Sequence, residues 1–151
     1  MKTLSTHAHA AKLIRQELKA LGIPARVKAD SFAGGSSVDI YLTDAPKDIN
    51  ALANTIGKKY QYGHFDGMTD CYEYSNKNGN LPQVKYVHIT NEMSGTKKQE
   101  IWENVRRRFG LSDTFPLAYT EAQNMRFQHD YICAWVWREF CNPSSTSAVA
   151  A

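Results

Sequence analysis

Long apolar runs and paired cysteines are both missing from this sequence. Its longest apolar run, 131–137, is far shorter than the roughly 20 residues that a helix needs to cross a bilayer. The three cysteines, Cys71, Cys133 and Cys141, are an odd number and lack the CxxC spacing of a disulfide or zinc framework. The amino end also lacks the apolar run of a signal peptide. We therefore expect a cytoplasmic protein without disulfides, without a metal or other cofactor and without a membrane partner.

Charge of one sign is also scarce, because the formal net charge is only +3 for 151 residues. A value this small excludes an acidic mimic of DNA, and it predicts nucleic-acid binding only where basic residues cluster. Hydrophobic residues make up 42% of the chain, which is enough for one core without disulfides. We predict a single domain over 1–141, followed by a disordered tail over 142–151 that is small and polar.

The amino-terminal part of the chain changes its hydrophobic period once. Apolar residues at helical spacing over 11–21 predict a first helix, which Gly22 and Pro24 end. Apolar and polar residues then alternate over 26–43, which predicts an antiparallel hairpin with one covered face. Its turn is predicted at Ala33-Gly34-Gly35-Ser36, where glycine supplies positive φ angles.

The rest of the chain is predicted to repeat this arrangement. A helical stripe over 46–57 precedes two alternating segments, 71–75 and 83–90, which form a second hairpin because turn-forming residues connect them. Two carboxyl-terminal helices then cover 96–109 and 120–140. The prediction is an α+β fold of order αββαββαα, in which the two hairpins make a four-stranded antiparallel sheet packed by the first two helices.

Basic residues concentrate at one place in the sequence, the arginine run that begins at Arg106. Arg106 and Arg107 are candidate contacts for nucleic acid or an acidic partner. Arg26 and Lys28, on the polar face of the first hairpin, are further candidates beside Tyr41, which can stack on a base. A helix spreads consecutive arginines around its surface, so a solvated face is the alternative interpretation.

The last predicted helix is apolar nearly all round over 131–137. Tyr131, Trp135 and Trp137 are therefore candidate anchors of a homodimer or of another protein interface, because aromatic residues dominate binding hot spots. The alternative is that these side chains complete the core.

The turn of the first hairpin is a further candidate site. Phe32, Ser36 and Ser37 surround it and can form an exposed loop that recognises a partner. A phosphate-binding loop is not expected, because a strand rather than a helix follows the glycine pair. A plain hairpin turn is the alternative.

A loose group of reactive residue types lies at 64–73. Its members are His64, Asp66, Asp70, Cys71 and Glu73. Carboxylates in different environments can act as acid and base, but this spacing names no reaction. Zinc ligands usually come as pairs on two separate segments, and here there is one segment. We therefore rank an enzyme behind the binding functions and interpret Asp66-Gly67 as a turn.

Three stretches of the sequence together resemble one family. They are STHAHAAKLIRQELKALG at the amino end, SFAGGSSVDIYLTDAP in the first predicted hairpin and FDGMTDCYEY after the second predicted helix. In this order and spacing they are similar to one of the large polyvalent protein-associated domains, over a core of about 5–94. Ala45 stands where the family pattern leads us to expect glycine. The helical extension over 96–141 lies outside the resemblance.

The resemblance implies a biological setting and assigns no catalytic residue. Such domains occur in bacteriophages and conjugative elements, within giant multi-domain proteins and as small standalone proteins, often acting against restriction or CRISPR immunity. The resemblance therefore implies a non-catalytic inhibitor, such as an anti-CRISPR protein, that binds a host defence complex in the bacterial cytoplasm. No catalytic residue carries over from the family. A nucleic-acid-binding accessory module and an enzyme acting near 64–73 are the two alternatives.

Overall fold

The computed structural model describes residues 4–111 and 113–143, and the chain forms two compact units, Met1–Glu92 and Met93–Ala151. Unit 1 contains α1 (Thr6–Ala20), β1 (Arg26–Phe32), β2 (Gly35–Thr43), α2 (Lys47–Lys59), β3 (His64–Asp66), β4 (Cys71–Glu73) and β5 (Tyr86–Glu92). Unit 2 contains α3 (Gly95–Phe109), α4 (Tyr119–Ala122), β6 (Arg126–Phe127), β7 (Asp130–Tyr131) and α5 (Ile132–Cys141). The predicted α+β class is confirmed. The predicted tail lies outside the described residues from 144 onward, and none of the described helices is long and apolar enough to cross a membrane.

The first predicted hairpin forms, with a shorter turn than expected. β1 and β2 pair antiparallel along their length, and the pair Phe32↔Gly35 leaves only Ala33-Gly34 as the turn. Gly34 has a φ angle of +90°, a backbone conformation that residues other than glycine rarely adopt. Ser36 and Ser37 therefore lie inside β2 rather than in a loop, and Ser37 is buried.

One face of this hairpin is covered by the first two helices, as predicted. Val38, Ile40 and Leu42 of β2 are buried in one apolar cluster with residues of α1 and α2. The approach of α2 to β5 requires a small residue, because a Cβ atom at Gly57 would lie 2.9 Å from the Val87 side chain. The covered face therefore contains the core of unit 1, and the opposite face of the sheet is left open.

The predicted four-stranded antiparallel sheet is wrong. The main sheet has three strands in the order β1-β2-β5, and β5 pairs with β2 in parallel. β3 and β4 form a separate two-stranded ribbon, so 71–75 and 83–90 do not make a hairpin. The connection between them is instead fastened to the end of α2, where Asn76 donates to the Lys58 carbonyl at 2.9 Å. A parallel pair needs a long crossover, which α2 and the β3–β4 ribbon provide.

The predicted single helix over 120–140 is also wrong. Helix α4 is short, and the β6–β7 hairpin interrupts the chain before α5 begins. Gln128 has a φ angle of +56° at the hairpin turn. The hairpin places the Phe127 ring 5.2 Å from Phe109 and 5.5 Å from Trp135, measured between ring centroids. No glycine or proline interrupts the helical period of the sequence here. The packing of the Phe127 ring nevertheless favours the hairpin over a continuous helix.

Candidate nucleic-acid interface

The open face of the three-stranded sheet displays a connected group of rings. Side chains alternate across a strand, so Phe32 in β1 and Tyr86 and His88 in β5 lie opposite the covered face. The Tyr86 centroid lies 6.3 Å from Phe32 and 6.0 Å from His88, with the ring planes nearly parallel. Gly35 makes room for this arrangement, because a Cβ atom there would lie 3.0 Å from the Phe32 ring.

The β3–β4 ribbon extends this group beyond the sheet. Tyr72 lies edge-on to Tyr86 at 5.5 Å, to Tyr62 at 5.9 Å and to Tyr74 at 5.1 Å. Tyr62 and Tyr74 are stacked at 5.5 Å with 14° between their planes. We call the whole group the aromatic strip, and its members are Phe32, Tyr62, Tyr72, Tyr74, Tyr86 and His88.

Close backbone contacts hold the ribbon beside the sheet. Gly63 is buried, and a Cβ atom there would lie 1.9 Å from the Glu73 carbonyl oxygen. The Tyr72 hydroxyl donates to the carbonyl of Lys85, directly before β5. The side-chain oxygen of Gln61 accepts from the Val87 N–H at 2.9 Å. The rings of the ribbon and of the sheet therefore belong to one fixed surface within unit 1.

Two lysines accompany the aromatic strip. The Lys85 ammonium lies 5.2 Å from the Tyr72 centroid and 5.7 Å from that of Tyr86, and it donates to the Gly34 carbonyl at 3.2 Å. The Lys77 ammonium lies 4.5 Å from the Tyr74 centroid. Across residues 4–111 and 113–143, neither ammonium forms an ion pair with a carboxylate. Both positive charges are therefore available to an anionic ligand.

The protonation of the tyrosines keeps negative charge off the strip. Burial, with a further effect of neighbouring tyrosines, raises the pKa of Tyr72 to about 12 and also raises the pKa of Tyr62. Both hydroxyls therefore stay neutral at physiological pH. The carboxylates on the open face belong to Asp30, Asp39 and Glu92, and Asp39 lies between Lys28 of β1 and His88 of β5. Among the described residues, Lys77 and Lys85 beside the rings form no ion pair with these or other carboxylates.

Three of the predicted contact residues lie on this open face. Phe32 belongs to the strip and is 48% exposed. Arg26 and Lys28 alternate with the buried side of β1, and the Arg26 guanidinium lies 4.3 Å from the Tyr41 centroid. The structure therefore places Arg26, Lys28 and Phe32 on the same face of one sheet.

The two other predicted basic contacts belong to α3 of unit 2. Arg107 donates to the Asn104 side chain at 2.9 Å, and Arg106 donates to the Phe115 carbonyl at 3.4 Å. Both side chains therefore make contacts inside unit 2, and they do not belong to the same unit as the aromatic strip.

The three aromatic anchors predicted in the last helix do not form one patch. Trp135 is half-buried, and its indole N–H donates to the Phe127 carbonyl at 3.1 Å. Tyr131 and Trp137 are each 49% exposed. Positions 135 and 137 are separated by about 200° around an α-helix, so their side chains point to different sides.

The reactive group at 64–73 stabilises the ribbon. His64 Nε2 lies 3.5 Å from Glu73 Oε2, and His64 Nδ1 lies 3.1 Å from the Ser75 hydroxyl. The His64 and Glu73 side chains are 57% and 54% exposed, so water screens their interaction. Asp66 accepts from the Met68 N–H at 2.8 Å, and that hydrogen bond is the main cause of its lowered pKa. In the described part of the chain, no three His, Cys, Asp or Glu side chains are placed to hold a metal ion.

Sequence reasoning missed most of the aromatic strip. Tyr72 with Tyr74, and Tyr86 with His88, are spaced by two residues, which places both rings of a pair on the same side of a strand. This alternation was the available signal. The pairing of β4 with β3, and of β5 with β2, had no comparable signal, and that pairing brings the rings together.

The comparison with protein families agrees with the resemblance and extends it. A family model described as large polyvalent protein associated domain 29 matches residues 5–133. The prediction that the similarity ends near residue 94 was therefore wrong, because the match continues through α3, α4 and the β6–β7 hairpin. No curated protein and no solved structure matches the chain. Since the family model covers most of the 151 residues, the chain belongs to the large polyvalent protein associated domain 29 family.

Proposed function

We propose that this chain is a non-catalytic binding protein of a bacteriophage or mobile element, and that its aromatic strip binds single-stranded nucleic acid. The family is associated with phages, which supports the biological setting. One observation carries the binding proposal. A connected surface of six rings lies beside two lysines that have no carboxylate partner among the described residues.

The chemistry of this surface suits unpaired bases. Every base has a π face, so stacking on exposed aromatic rings tolerates any sequence and contributes about 1–3 kcal/mol per base. Lysines next to the rings neutralise the phosphates of the same strand. The bases of a duplex are already stacked on one another, and they cannot use such a surface without melting. The aromatic strip therefore favours a single strand over a duplex.

The extent of the strip limits the length of its ligand. From Phe32 through Tyr86 and Tyr72 to Tyr74, neighbouring ring centroids are 5.1–6.3 Å apart. Four rings in a row match a strand of about four nucleotides, at the lower end of the range for one binding module. Phe32 and Tyr74 are 48% and 54% exposed and are the most accessible rings for stacking.

Fluorescence anisotropy with labelled DNA and RNA oligonucleotides tests this function directly. We expect single strands to bind more tightly than the matching duplex, with affinity falling as salt rises. Phe32→Ala is expected to weaken binding by about 1–3 kcal/mol, because one exposed stacking surface is lost. Leu117→Ala is the matched control, since Leu117 is 66% exposed but belongs to unit 2.

Two outcomes would overturn the proposal. The first is a duplex that binds as tightly as its single strands. The second is a Phe32→Ala protein whose affinity equals that of the wild type. If no oligonucleotide binds, but a protein partner is held and then lost on Phe32→Ala, the strip is a protein interface instead.

A second candidate function is the inhibition of a host defence complex, such as a restriction or CRISPR complex, by direct binding. Two things support it: the phage association of the family, and the exposed apolar side chains of unit 2, among them Tyr131 and Trp137. The test is purification of the tagged protein from a bacterial host, comparing wild type with Trp137→Ala. We expect a defence complex to co-purify with the wild type and its amount to be reduced by the substitution. Unchanged phage restriction in the presence of the protein would contradict inhibition.

Light scattering on the same proteins tests a homodimer through α5.

A further inference from the structure

A small pocket lies at one end of the aromatic strip, where Tyr62 and Tyr74 form one wall. Its volume is about 250 Å³, which is slightly below the usual range for drug-sized ligands, about 300–1,000 Å³. A pocket of this size suits one flat ring system rather than a larger molecule. The lining residues are Tyr62, Tyr74, Lys77, Asn78, Gly79 and Gln83.

The loop that forms the other wall is fixed by side-chain amides. Asn76 donates to the Lys58 carbonyl at 2.9 Å, which fastens the start of the loop to the end of α2. Gln83 donates to the Lys59 carbonyl at 2.9 Å and accepts from the Asn78 N–H at 2.7 Å. The pocket is therefore formed before a ligand arrives, so binding does not require the loop to become ordered.

The polar side chains of the pocket chiefly offer hydrogen-bond donors. The Asn80 N–H donates to Asn78 Oδ1 at 3.0 Å, which orients the amide so that Asn78 offers its Nδ2 hydrogens. The oxygen and the NH2 group of the Gln83 side-chain amide already bond to the backbone. Lys77 can only donate, whereas the hydroxyls of Tyr62 and Tyr74 can donate or accept. The best ligand is therefore a ring whose edge carries neighbouring acceptors.

We infer that this pocket holds one base of the bound strand and prefers guanine to adenine, an inference that rests on the proposed function. Guanine presents O6 and N7 as neighbouring acceptors, whereas adenine has an amino group in place of O6. That amino group would face the donors of Asn78 and Lys77. The other rings of the strip stack on any base, so the pocket is the part of this surface that reads sequence.

Entry of the base requires one small rearrangement. The Lys77 ammonium lies 4.5 Å from the Tyr74 centroid and covers part of that ring. Because the Lys77 side chain is exposed, it can leave the ring, and the base then takes its place. The ammonium group is then close enough to donate to the base edge.

The test is anisotropy with a short oligothymidine that carries one central guanine, adenine or 2-aminopurine. We expect guanine to bind about tenfold more tightly than adenine, the lower part of the range for one good base contact. We expect 2-aminopurine, which lacks both O6 and the amino group of adenine at that position, to bind more weakly than guanine and at least as tightly as adenine. Asn78→Ala and Gly79→Val should both abolish the preference, because they should lower the affinity for the guanine oligonucleotide more than the affinity for plain oligothymidine.

Gly79→Val is the sharper of the two variants. A Cβ atom at Gly79 would meet no atom within 4 Å, so valine adds bulk at this lining position without straining the protein. Thermal unfolding of both variants checks that the fold is intact.

The outcomes separate the failure of the inference from the failure of the proposed function. Equal binding of guanine and adenine, with Phe32→Ala still weakening both, overturns the guanine pocket alone. Equal weakening of all oligonucleotides by Gly79→Val also overturns it, because the pocket would then be an ordinary part of the interface. If the wild type binds none of the oligonucleotides, the proposed function and the pocket fail together.

Discussion

Both units combine aromatic rings with basic side chains, but they use these residues differently. In unit 2 the Phe109 and Trp135 rings meet edge-on at 5.5 Å, and Arg108 pairs with Glu139 at 3.1 Å. In unit 1 the rings of the aromatic strip lie on an open sheet face. The Lys85 ammonium donates to a backbone carbonyl and pairs with no carboxylate among the described residues. In unit 2 these residue types therefore pack against each other beside paired cations, and in unit 1 they line an open sheet face.

Charge pairing distinguishes the Phe109–Trp135 group from the aromatic strip more clearly than aromatic content does. A cation already paired with a carboxylate has lost much of its attraction for a phosphate, whereas a cation without such a partner retains it. Arg138 of unit 2 likewise pairs with Asp130. We therefore interpret the Phe109–Trp135 group as packing and the aromatic strip as the candidate binding surface.

Among the substitutions that test this comparison, Gly63→Ala is expected to have the largest effect. The new Cβ atom would lie 1.9 Å from the Glu73 carbonyl oxygen, so the ribbon and its strip tyrosines must shift. We expect a loss of about 3 kcal/mol in the free energy of unfolding, the upper part of the range for overpacking. Urea unfolding followed by circular dichroism measures it. Tryptophan emission should change less, because all three tryptophans belong to unit 2.

Gly67→Ala is the control for that substitution. Gly67 lies in the same ribbon, but a Cβ atom there would meet nothing within 4 Å. Its stability should stay near that of the wild type. A Gly63→Ala protein as stable as Gly67→Ala would show that the ribbon is not packed as described.

A pair of substitutions should separate the two aromatic groups. Trp135→Ala is expected to lower the free energy of unfolding by about 2–3 kcal/mol, below the cost for a fully buried ring, and to leave oligonucleotide affinity unchanged. Tyr74→Ala should change the free energy of unfolding little, because Tyr74 is 54% exposed. It should weaken oligonucleotide binding by about 1–3 kcal/mol. Unfolding curves and anisotropy on the same samples give both quantities. The distinction fails if either variant changes both quantities equally.

A smaller effect concerns the cations. The slope of log affinity against log salt should fall in magnitude by about 0.7 for Lys85→Gln, because one phosphate contact is lost on a single strand. Arg108→Gln should leave the slope unchanged, since Arg108 pairs with Glu139. Anisotropy titrations at several salt concentrations measure both slopes. Equal slopes for the two variants would remove the role assigned to Lys85.

The smallest effect concerns a paired lysine inside unit 1. Burial alone would raise the pKa of Glu17, but hydrogen bonds from Lys59 and Tyr60 lower it below its ordinary value of 4.5. The contact therefore stabilises the fold above about pH 4.5, and this stabilisation is lost as the pH falls through the lowered pKa. Glu17→Gln should cost about 0.5 kcal/mol at pH 7, because the pair is partly exposed, and less at a pH well below 4.5, where the carboxylate becomes protonated. Urea unfolding at the two pH values decides it, and a pH-independent difference would contradict the role of the carboxylate charge.

Local sequence patterns alone were enough for the first two helices, the β1–β2 hairpin and the α+β class. Each depends on residues close in the chain, because a period of 3.6 or of two assigns neighbouring side chains to a face. The same local rule predicted that Arg26 and Lys28 would lie away from the core, and Phe32 was predicted as an exposed residue beside the turn. The three sequence stretches indicated the family.

Only the tertiary structure decided which distant segments pair. A turn-rich connection such as 76–83 is equally suited to a hairpin and to a loop fastened onto α2, and no residue near Gln128 marks the break that creates β6–β7. The aromatic strip depends on such pairings, because its rings come from β1, from β5 and from the ribbon. Hydrogen bonds between segments far apart in the chain leave no local signature, so a site assembled from them becomes visible only once the chain is folded.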